Sequence, residues 1–236
     1  MSVTTENSAP TPSVVVVTWN GGPLLSRCIE ALREQTITPK RIVVVVARPD
    51  PIPVPDDVIV IRCERPQGYA ASANRGGRAT PEGPLIVLND DTIPAPDFVA
   101  QLEEASLKYG EGIYCPRIIL ADEPEQLDNT GHRLFPDGYN LARGRGHPIE
   151  AALGHTVEVG ALSGAAFMLT PTVRERVGLF DHDFTRVDVF LDHVSHLLFG
   201  LCFGLCIGAS IIRLAVVISK KNSVITCNTL FYLSTG

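Results

Sequence analysis

A basic excess is missing from this sequence. Its 20 lysines and arginines face 26 aspartates and glutamates, for a net charge of −6. A nucleic-acid partner favours a basic face, so none is expected. A nucleotide ligand stays compatible, because a metal ion and backbone N–H groups can hold phosphate. Paired cysteines are missing as well. The six stand at 28, 63, 115, 202, 206 and 227, and Cys202 and Cys206 lie four apart in an apolar run, the pattern of packing rather than ligation. Neither a disulfide framework nor a zinc site follows, and a reducing cytoplasm is the expected compartment. No charged start leads into an apolar run. Residues 1–12 are polar and contain proline, which predicts a disordered leader rather than a signal peptide. No G-x-G-x-x-G opens a helix after the first apolar run, which argues against a dinucleotide site. Nor does a Gly-rich loop carrying Lys or Arg stand there, which argues against a nucleotidyltransferase-like enzyme.

What is present suits one domain, or one plus an appendage: 236 residues, 45% hydrophobic and 19% charged. Ser13-Val-Val-Val-Val17 and Arg41-Ile-Val-Val-Val-Val46 are β-branched runs, expected as strands buried on both faces. Between them Leu24, Leu25, Cys28, Ile29 and Leu32 recur at helical spacing, predicting a helix over 23–35. Strand, helix, strand makes a βαβ unit with a right-handed crossover. Val58–Arg62 reads as a third strand, and Ala70–Gly77 as a helix of small residues that lets backbone approach closely.

Leu85-Ile-Val-Leu-Asn89-Asp90-Asp91-Thr92 is the stretch that carries chemistry. Four apolar residues between Gly83-Pro84 and Pro94 predict a buried strand, and it ends in two carboxylates. Adjacent carboxylates repel, and a divalent cation relieves them. Mg²⁺ or Mn²⁺ commonly sits on one or two carboxylates plus substrate phosphates. The bland alternative is an Asx turn leaving a strand. A helix over 96–108 follows. Strands alternating with helices predict an α/β fold with a mainly parallel sheet. Ligands of such sheets bind beyond the carboxyl ends of the strands, where Trp19-Asn20, Arg48 and Asn89-Asp90-Asp91 all fall.

Cys115–Leu120 reads as a short strand. Residues 115–155 then form a turn-rich excursion with Arg133, Arg143, Arg145 and His147, either a binding element or a solvated loop. Ser163-Gly164-Ala165-Ala166 amid apolar residues suggests a floor for a ligand, and a short helix is expected over 172–177.

Thr18-Trp19-Asn20-Gly21, Gly68-Tyr69-Ala-Ala-Ser-Ala-Asn74-Arg75-Gly76, Leu88-Asn89-Asp90-Asp91-Thr92, Ser163-Gly164-Ala165-Ala166-Phe167 and Gly178-Leu179-Phe180-Asp181 occur in order over 13–184. Together they resemble the family 2 inverting glycosyltransferases, especially their rhamnosyltransferase-like members. The resemblance implies a GT-A fold over 13–195, a nucleotide-diphospho-sugar donor, a glycan or lipid-linked acceptor, and Mg²⁺ or Mn²⁺. It places Thr18, Trp19 and Asn20 in the nucleotide pocket and Gly68 and Asn74 on its base and ribose side. Asp91 would bind the metal, with Asn89 and Asp90 beside it, and Ser163, Gly164 and Ala165 would lie under the donor sugar or acceptor.

Two departures from the family pattern stand out. An Asp is usual near the end of the second strand, where this chain reads Val46-Ala47-Arg48. A Glu-Asp pair, whose Asp is the general base, usually follows the Phe-Asp motif. Here the text is Asp183-Phe-Thr-Arg-Val-Asp188-Val-Phe-Leu-Asp192-His193. Asp188 and Asp192 are the stand-ins for the base, with His193 a third. A donor-binding relic that has lost its base is the alternative function.

From Leu197 to Ile218 the sequence is almost wholly apolar, broken by Arg213 and followed by Lys220-Lys221. Such a run is long enough to span a bilayer, with its basic flank cytoplasmic. Residues 196–236 are thus expected either as membrane association through 197–218, at the inner face of the membrane, or as an aberrant end.

Overall fold

The computed structural model describes residues 10–135, 139–152, 154–180 and 215–216. Asp188, Asp192 and His193, most of the leader, and the tail except Ala215–Val216 lie outside them, so the expectations placed on those residues do too.

The valine runs form the centre. β1 (Ser13–Thr18), β2 (Arg41–Val46), β3 (Ile59–Arg62) and β4 (Leu85–Asn89) lie parallel, with β1 between β2 and β4. β11 (Ala166–Leu169) runs antiparallel to β4, and β5 (Ile113–Tyr114) closes the sheet in the order β3-β2-β1-β4-β11-β5. Val14, Val16, Val44, Val46, Ile86 and Leu88 face α1 (Pro23–Arg33) and α3 (Phe98–Tyr109). Val15, Val17, Val43, Val45, Leu85 and Val87 face the other way. Burial on both sides is why these strands carry no polar alternation. α2 (Tyr69–Ala79) packs on β1 and β2 over Gly76. A Cβ on Gly76 would meet the Val15 side chain at 2.4 Å, so glycine sets how closely helix and sheet approach.

Gln35 joins the two helices of the first layer. Its Nε2 donates to Ala31 O (2.9 Å) and Ala95 O (2.6 Å), and its Oε1 accepts from Val99 N–H (3.0 Å). That bond serves an N-terminal amide of α3, where Asp97 provides no side-chain cap. On the opposite layer Arg174, in α4 (Pro171–Val177), donates to Gly83 O (3.3 Å) and to Gly77 O, anchoring the end of α2.

Of the expected strand Cys115–Leu120 only Ile118–Ile119 is a strand, and a separate strand, Ile113–Tyr114, precedes it. Ile113–Tyr114 joins the main sheet, whereas β6 (Ile118–Ile119) leaves it and pairs with β7 (Leu127–Asn129). Pro116 stands at the break, and a residue with no N–H cannot continue a ladder. The excursion is more structured than its composition suggests. β8 (His132–Leu134) and β9 (Asn140–Ala142) form a hairpin, and Leu127 N–H donates to His147 O at 2.9 Å, folding the loop back on β7. Two further two-residue strands, β10 (Val157–Glu158) and β12 (Ala215–Val216), pair antiparallel. No helix among the described residues is long and apolar enough to cross a membrane.

Candidate functional site

Four parallel strands deliver their carboxyl ends to one edge, and antiparallel β11 brings its amino end to the same edge. The backbone there is stitched across. Ala47 N–H donates to Thr18 O (2.9 Å), Cys63 N–H to Val46 O (3.0 Å), and Asn89 N–H to Ala165 O (2.9 Å). The loops Thr18–Asn20, Ala47–Arg48, Asn89–Asp91 and Ser163–Ala165 therefore form one rim. The edge is where an open α/β sheet binds ligands.

Thr18 is buried, and its hydroxyl works inside the rim. It donates to an Asp90 carboxylate oxygen and accepts from Gly21 N–H at 2.9 Å. Gly21 turns at φ 64°, and a Cβ there would press on Ile52 at 2.9 Å, so the sequence needs glycine for the loop to close. Trp19 is 46% exposed beside it. Asn20 Oδ1 accepts from Arg48 Nη1 at 3.3 Å, and Arg48 Nε lies 3.5 Å from Asp50.

Asp90 is half-buried and Asp91 exposed. Burial pushes the Asp90 carboxyl above its usual range; the Thr18 hydrogen bond works against this, and the neighbouring Asp91 charge adds to it. The turn beneath is held by Thr92 Oγ1, which donates to Asn89 O at 2.7 Å. The Cys28 thiol lies 3.9 Å from Asn89 O and from Thr92 Oγ1, and burial pushes it up to about 12. It is a packed neutral group under the acidic turn, not a nucleophile.

Across from the carboxylates, Tyr69 Oη donates to Gly164 O at 2.6 Å. Burial, with the Asp91 charge adding, pushes its phenol up. Ser163 is buried and its Oγ accepts from Ala165 N–H at 3.2 Å, so it shapes that turn from inside. Gly68, at the N-cap of α2, accepts from Ser72 Oγ (3.0 Å).

Asn74 is set deeper than the resemblance implies. Its Nδ2 donates to Phe180 O (2.9 Å) and its Oδ1 accepts from Phe180 N–H (3.0 Å). Both ends of the amide are used to bolt the segment after α4 onto α2. Phe180 in turn packs edge-on against Tyr69 and Phe167, with ring centroids 5.8 and 5.9 Å apart. The rim thus gathers Trp19, Asn20, Gly68, Asn89, Asp90, Asp91, Gly164 and Ala165, with Thr18, Asn74 and Ser163 directing their polar atoms inward. Sequence reasoning missed the parts played by Tyr69, Cys28 and Thr92. For Tyr69 the available signal was an aromatic at the first turn of a helix otherwise built of small residues.

Among the basic residues of the excursion, Arg145 is tied to Asp128 at 2.6 Å, and His147 is exposed. His132 is buried with Nδ1 3.0 Å from Asn140 Oδ1, and its Nε2 has no hydrogen-bond partner among the described residues.

Two adjacent carboxylates at a strand end fit a hard divalent cation. Among the described residues no three His, Cys, Asp or Glu side chains converge, so the protein alone builds no closed cage. A donor set of this kind suits Mg²⁺ or Mn²⁺, which keep waters and take substrate phosphate oxygens.

A family model described as "Glycosyl transferase family 2" matches residues 13–156, more than half of the chain. No curated protein matches the sequence significantly. Among solved structures, TarS of S. aureus is similar over 92% of this chain, at 12% identity and a TM-score of 0.56, covering 36% of that chain. A TarS fragment, residues 1–349, gives a TM-score of 0.53 at 12% identity, covering 92% of this chain and 60% of that one. A mannosyltransferase from Pyrobaculum calidifontis, solved with GDP-Man and Mn²⁺, covers 75% of this chain and 49% of its own at 15% identity and a TM-score of 0.44. The chain therefore spans less than two thirds of the length of each of these structures.

Proposed function

The chain belongs to glycosyl transferase family 2 and has the GT-A fold, and from that premise we propose that it transfers a sugar from a nucleotide-diphosphate donor to a glycan or lipid-linked acceptor. The sugar is a deoxyhexose such as rhamnose, and transfer inverts the anomeric carbon. Polysaccharide or cell-wall assembly at the inner face of the membrane is the setting. The observation that carries the reading is Asp90 and Asp91 just beyond β4, with Asp90 accepting from the Thr18 hydroxyl and the preceding Asn89 N–H donating to Ala165 O.

Trp19, Asn20 and Gly68 line the nucleoside side of the rim. Asp91 would hold a Mg²⁺ or Mn²⁺ ion, with Asn89 and Asp90 beside it. Gly164 and Ala165 lie under the donor sugar, while Thr18, Asn74 and Ser163 keep the walls in register. The ion, when bound, supplies charge stabilisation for the departing diphosphate. The acceptor hydroxyl oxygen bonds to the anomeric carbon as that carbon's bond to the diphosphate oxygen breaks. The hydroxyl proton passes to a carboxylate, and the nucleoside diphosphate leaves. Asp188 and Asp192 are the proposed bases, with His193 the third choice.

Calorimetric titration of the full chain with Mn²⁺ and nucleoside diphosphates tests the reading. Nucleoside diphosphate binding that requires the ion and disappears in Asp91→Asn is expected. Absence of any such binding overturns it. Turnover assays on Asp188→Asn, Asp192→Asn and His193→Gln then find the base: the variant that loses turnover and keeps binding identifies it. The text of 183–193, which lacks a Glu-Asp pair, favours a second reading of a donor-binding relic, and binding with no turnover by the unaltered chain is its signature.

A further inference from the structure

We propose that the outer face of the β8–β9 hairpin docks the folded domain on an anionic lipid bilayer. That face is made by Arg133, Phe135, Tyr139, Leu141 and Arg143. None of these belongs to the rim around Asp90 and Asp91, and the proposal does not rest on the transferase reading.

Register defines the face. Arg133 stands opposite Leu141, and Leu134 opposite Asn140. Phe135 N–H donates to Tyr139 O and Arg143 N–H to Gly131 O, each at 2.9 Å, so the ladder continues by one pair at either end. Successive side chains of a strand point to opposite sides. His132, Leu134, Asn140 and Ala142 therefore share the inner side, where His132 is buried and Leu134 packs on the core. Arg133, Phe135, Tyr139, Leu141 and Arg143 share the outer side. Phe135, Tyr139 and Leu141 are 36%, 60% and 45% exposed there, and the two rings lie 5.8 Å apart.

The pattern is inverted. A hairpin with one face on the core presents polar residues to water. Here the solvent face carries three large apolar side chains, and its polar members are both arginines. Neither Arg133 nor Arg143 forms an ion pair among the described residues. Residues 131–145 hold three arginines against one acid, Asp137, in a chain whose net charge is −6. The third arginine, Arg145, is already tied to Asp128. A basic spot with an apolar centre thus stands on an acidic protein, and side chains this exposed bury too little area to serve the fold.

Size and charge decide the partner. Two strands of this length cover on the order of 100–200 Å². A stable protein interface takes about 800 Å² from each partner. Among the described residues no other exposed large apolar side chain belongs to the excursion, so the patch does not extend along it. A bilayer surface asks for less: a few apolar side chains enter the headgroup boundary while cations meet anionic headgroups. Tyrosine suits that boundary, with an apolar ring and a wet hydroxyl. An arginine stem lies along apolar surface and carries its charge to the headgroups. Each arginine near an anionic surface strengthens binding about fivefold.

The full chain is sedimented with phosphatidylcholine vesicles prepared with and without phosphatidylglycerol. Binding is expected to be about 25-fold stronger with the anionic lipid, and this excess should shrink as salt is raised. Arg133→Ser combined with Arg143→Ser should abolish the excess. Tyr139→Ser combined with Leu141→Ser should weaken binding to the anionic vesicles about tenfold. Melting curves matching the parent exclude a folding defect in either double variant. Hydrogen exchange on the unaltered chain gives an answer without any variant: peptides covering 131–143 should slow when anionic vesicles are added. Absence of vesicle binding overturns the proposal, and so does equal binding to neutral and anionic vesicles. Binding unchanged in both double variants overturns it as well, by placing the contact elsewhere, as on 197–218. A concentration-dependent dimer that Tyr139→Ser with Leu141→Ser abolishes, without vesicle binding by the parent, would make a second copy the occupant and overturn it.

Discussion

The hydroxyl of Thr18, the last residue of β1, donates to the carboxylate of Asp90, the first residue beyond β4. The same oxygen accepts from Gly21 N–H at 2.9 Å, so one buried side chain sets both the acidic turn and the loop carrying Trp19. Thr18→Val keeps the shape and removes both bonds. A loss of about 1–3 kcal/mol in urea unfolding is expected, with weaker Mn²⁺-dependent nucleotide binding. Unchanged nucleotide affinity in a destabilised variant would confine Thr18 to a structural part.

Asn74 separates a structural bolt from a donor contact. With both amide ends used by the Phe180 backbone, Asn74→Ala strands a donor and an acceptor. The expected cost is about 1–3 kcal/mol, read by chemical denaturation, with nucleotide affinity near that of the parent at temperatures where the variant is folded. A variant of parental stability that binds nucleotide poorly would return Asn74 to the pocket.

Gly76 tests the packing of α2 on the sheet. A methyl group there meets Val15 Cγ1 at 2.4 Å and Val45 Cγ2 at 3.0 Å. Gly76→Ala gains helix propensity but forces α2 outward, and overpacking of this kind costs about 1–3 kcal/mol. Since Gly68 and Tyr69 ride on the same helix, nucleotide binding should weaken as well. A variant more stable than the parent in thermal unfolding would refute the close fit.

His132 makes the excursion sensitive to acid. Burial pushes its imidazole below the usual value, and Arg145 adds to this, while the Asn140 hydrogen bond and the Asp128 charge work the other way. The folded protein therefore holds His132 neutral to lower pH than the unfolded chain does. Above about pH 6.5 both states are neutral and stability is full. As pH falls below that, the unfolded state takes up a proton first, and stability drops until the folded value is reached. Unfolding midpoints measured from pH 7.5 to 5 should fall more steeply in the parent than in His132→Gln. Parallel profiles would show that His132 contributes nothing to the slope.

That β1 and β2 are strands buried on both faces was legible because Val14–Val17 and Val43–Val46 lack any polar alternation, and only burial on both faces tolerates that. The acidic end of β4 was legible for a similar reason, since a charge pair directly after an apolar run has to sit where the chain leaves the core. Pro116 also stood in the sequence, yet the strand expected over Cys115–Leu120 was placed across it, whereas the strands are Ile113–Tyr114 before the proline and Ile118–Ile119 after it. Gln35, Tyr69 and Cys28 left weaker signals, because their long-range hydrogen-bond partners lie 60 to 95 residues away, set by packing that no local pattern encodes.

By itself the sequence determined which strands of the first half are buried on both faces, and that two carboxylates emerge at one strand end. Those properties follow from side-chain polarity and backbone preference, which are local. Tertiary structure alone decided that antiparallel β11 inserts between β4 and β5, bringing Ser163–Ala165 to Asn89. It also decided that Thr18, Asn74 and Ser163 turn their polar atoms inward. A side chain's hydrogen-bond partners depend on which backbone groups folding leaves beside it, and that is settled by contacts between residues far apart in the chain.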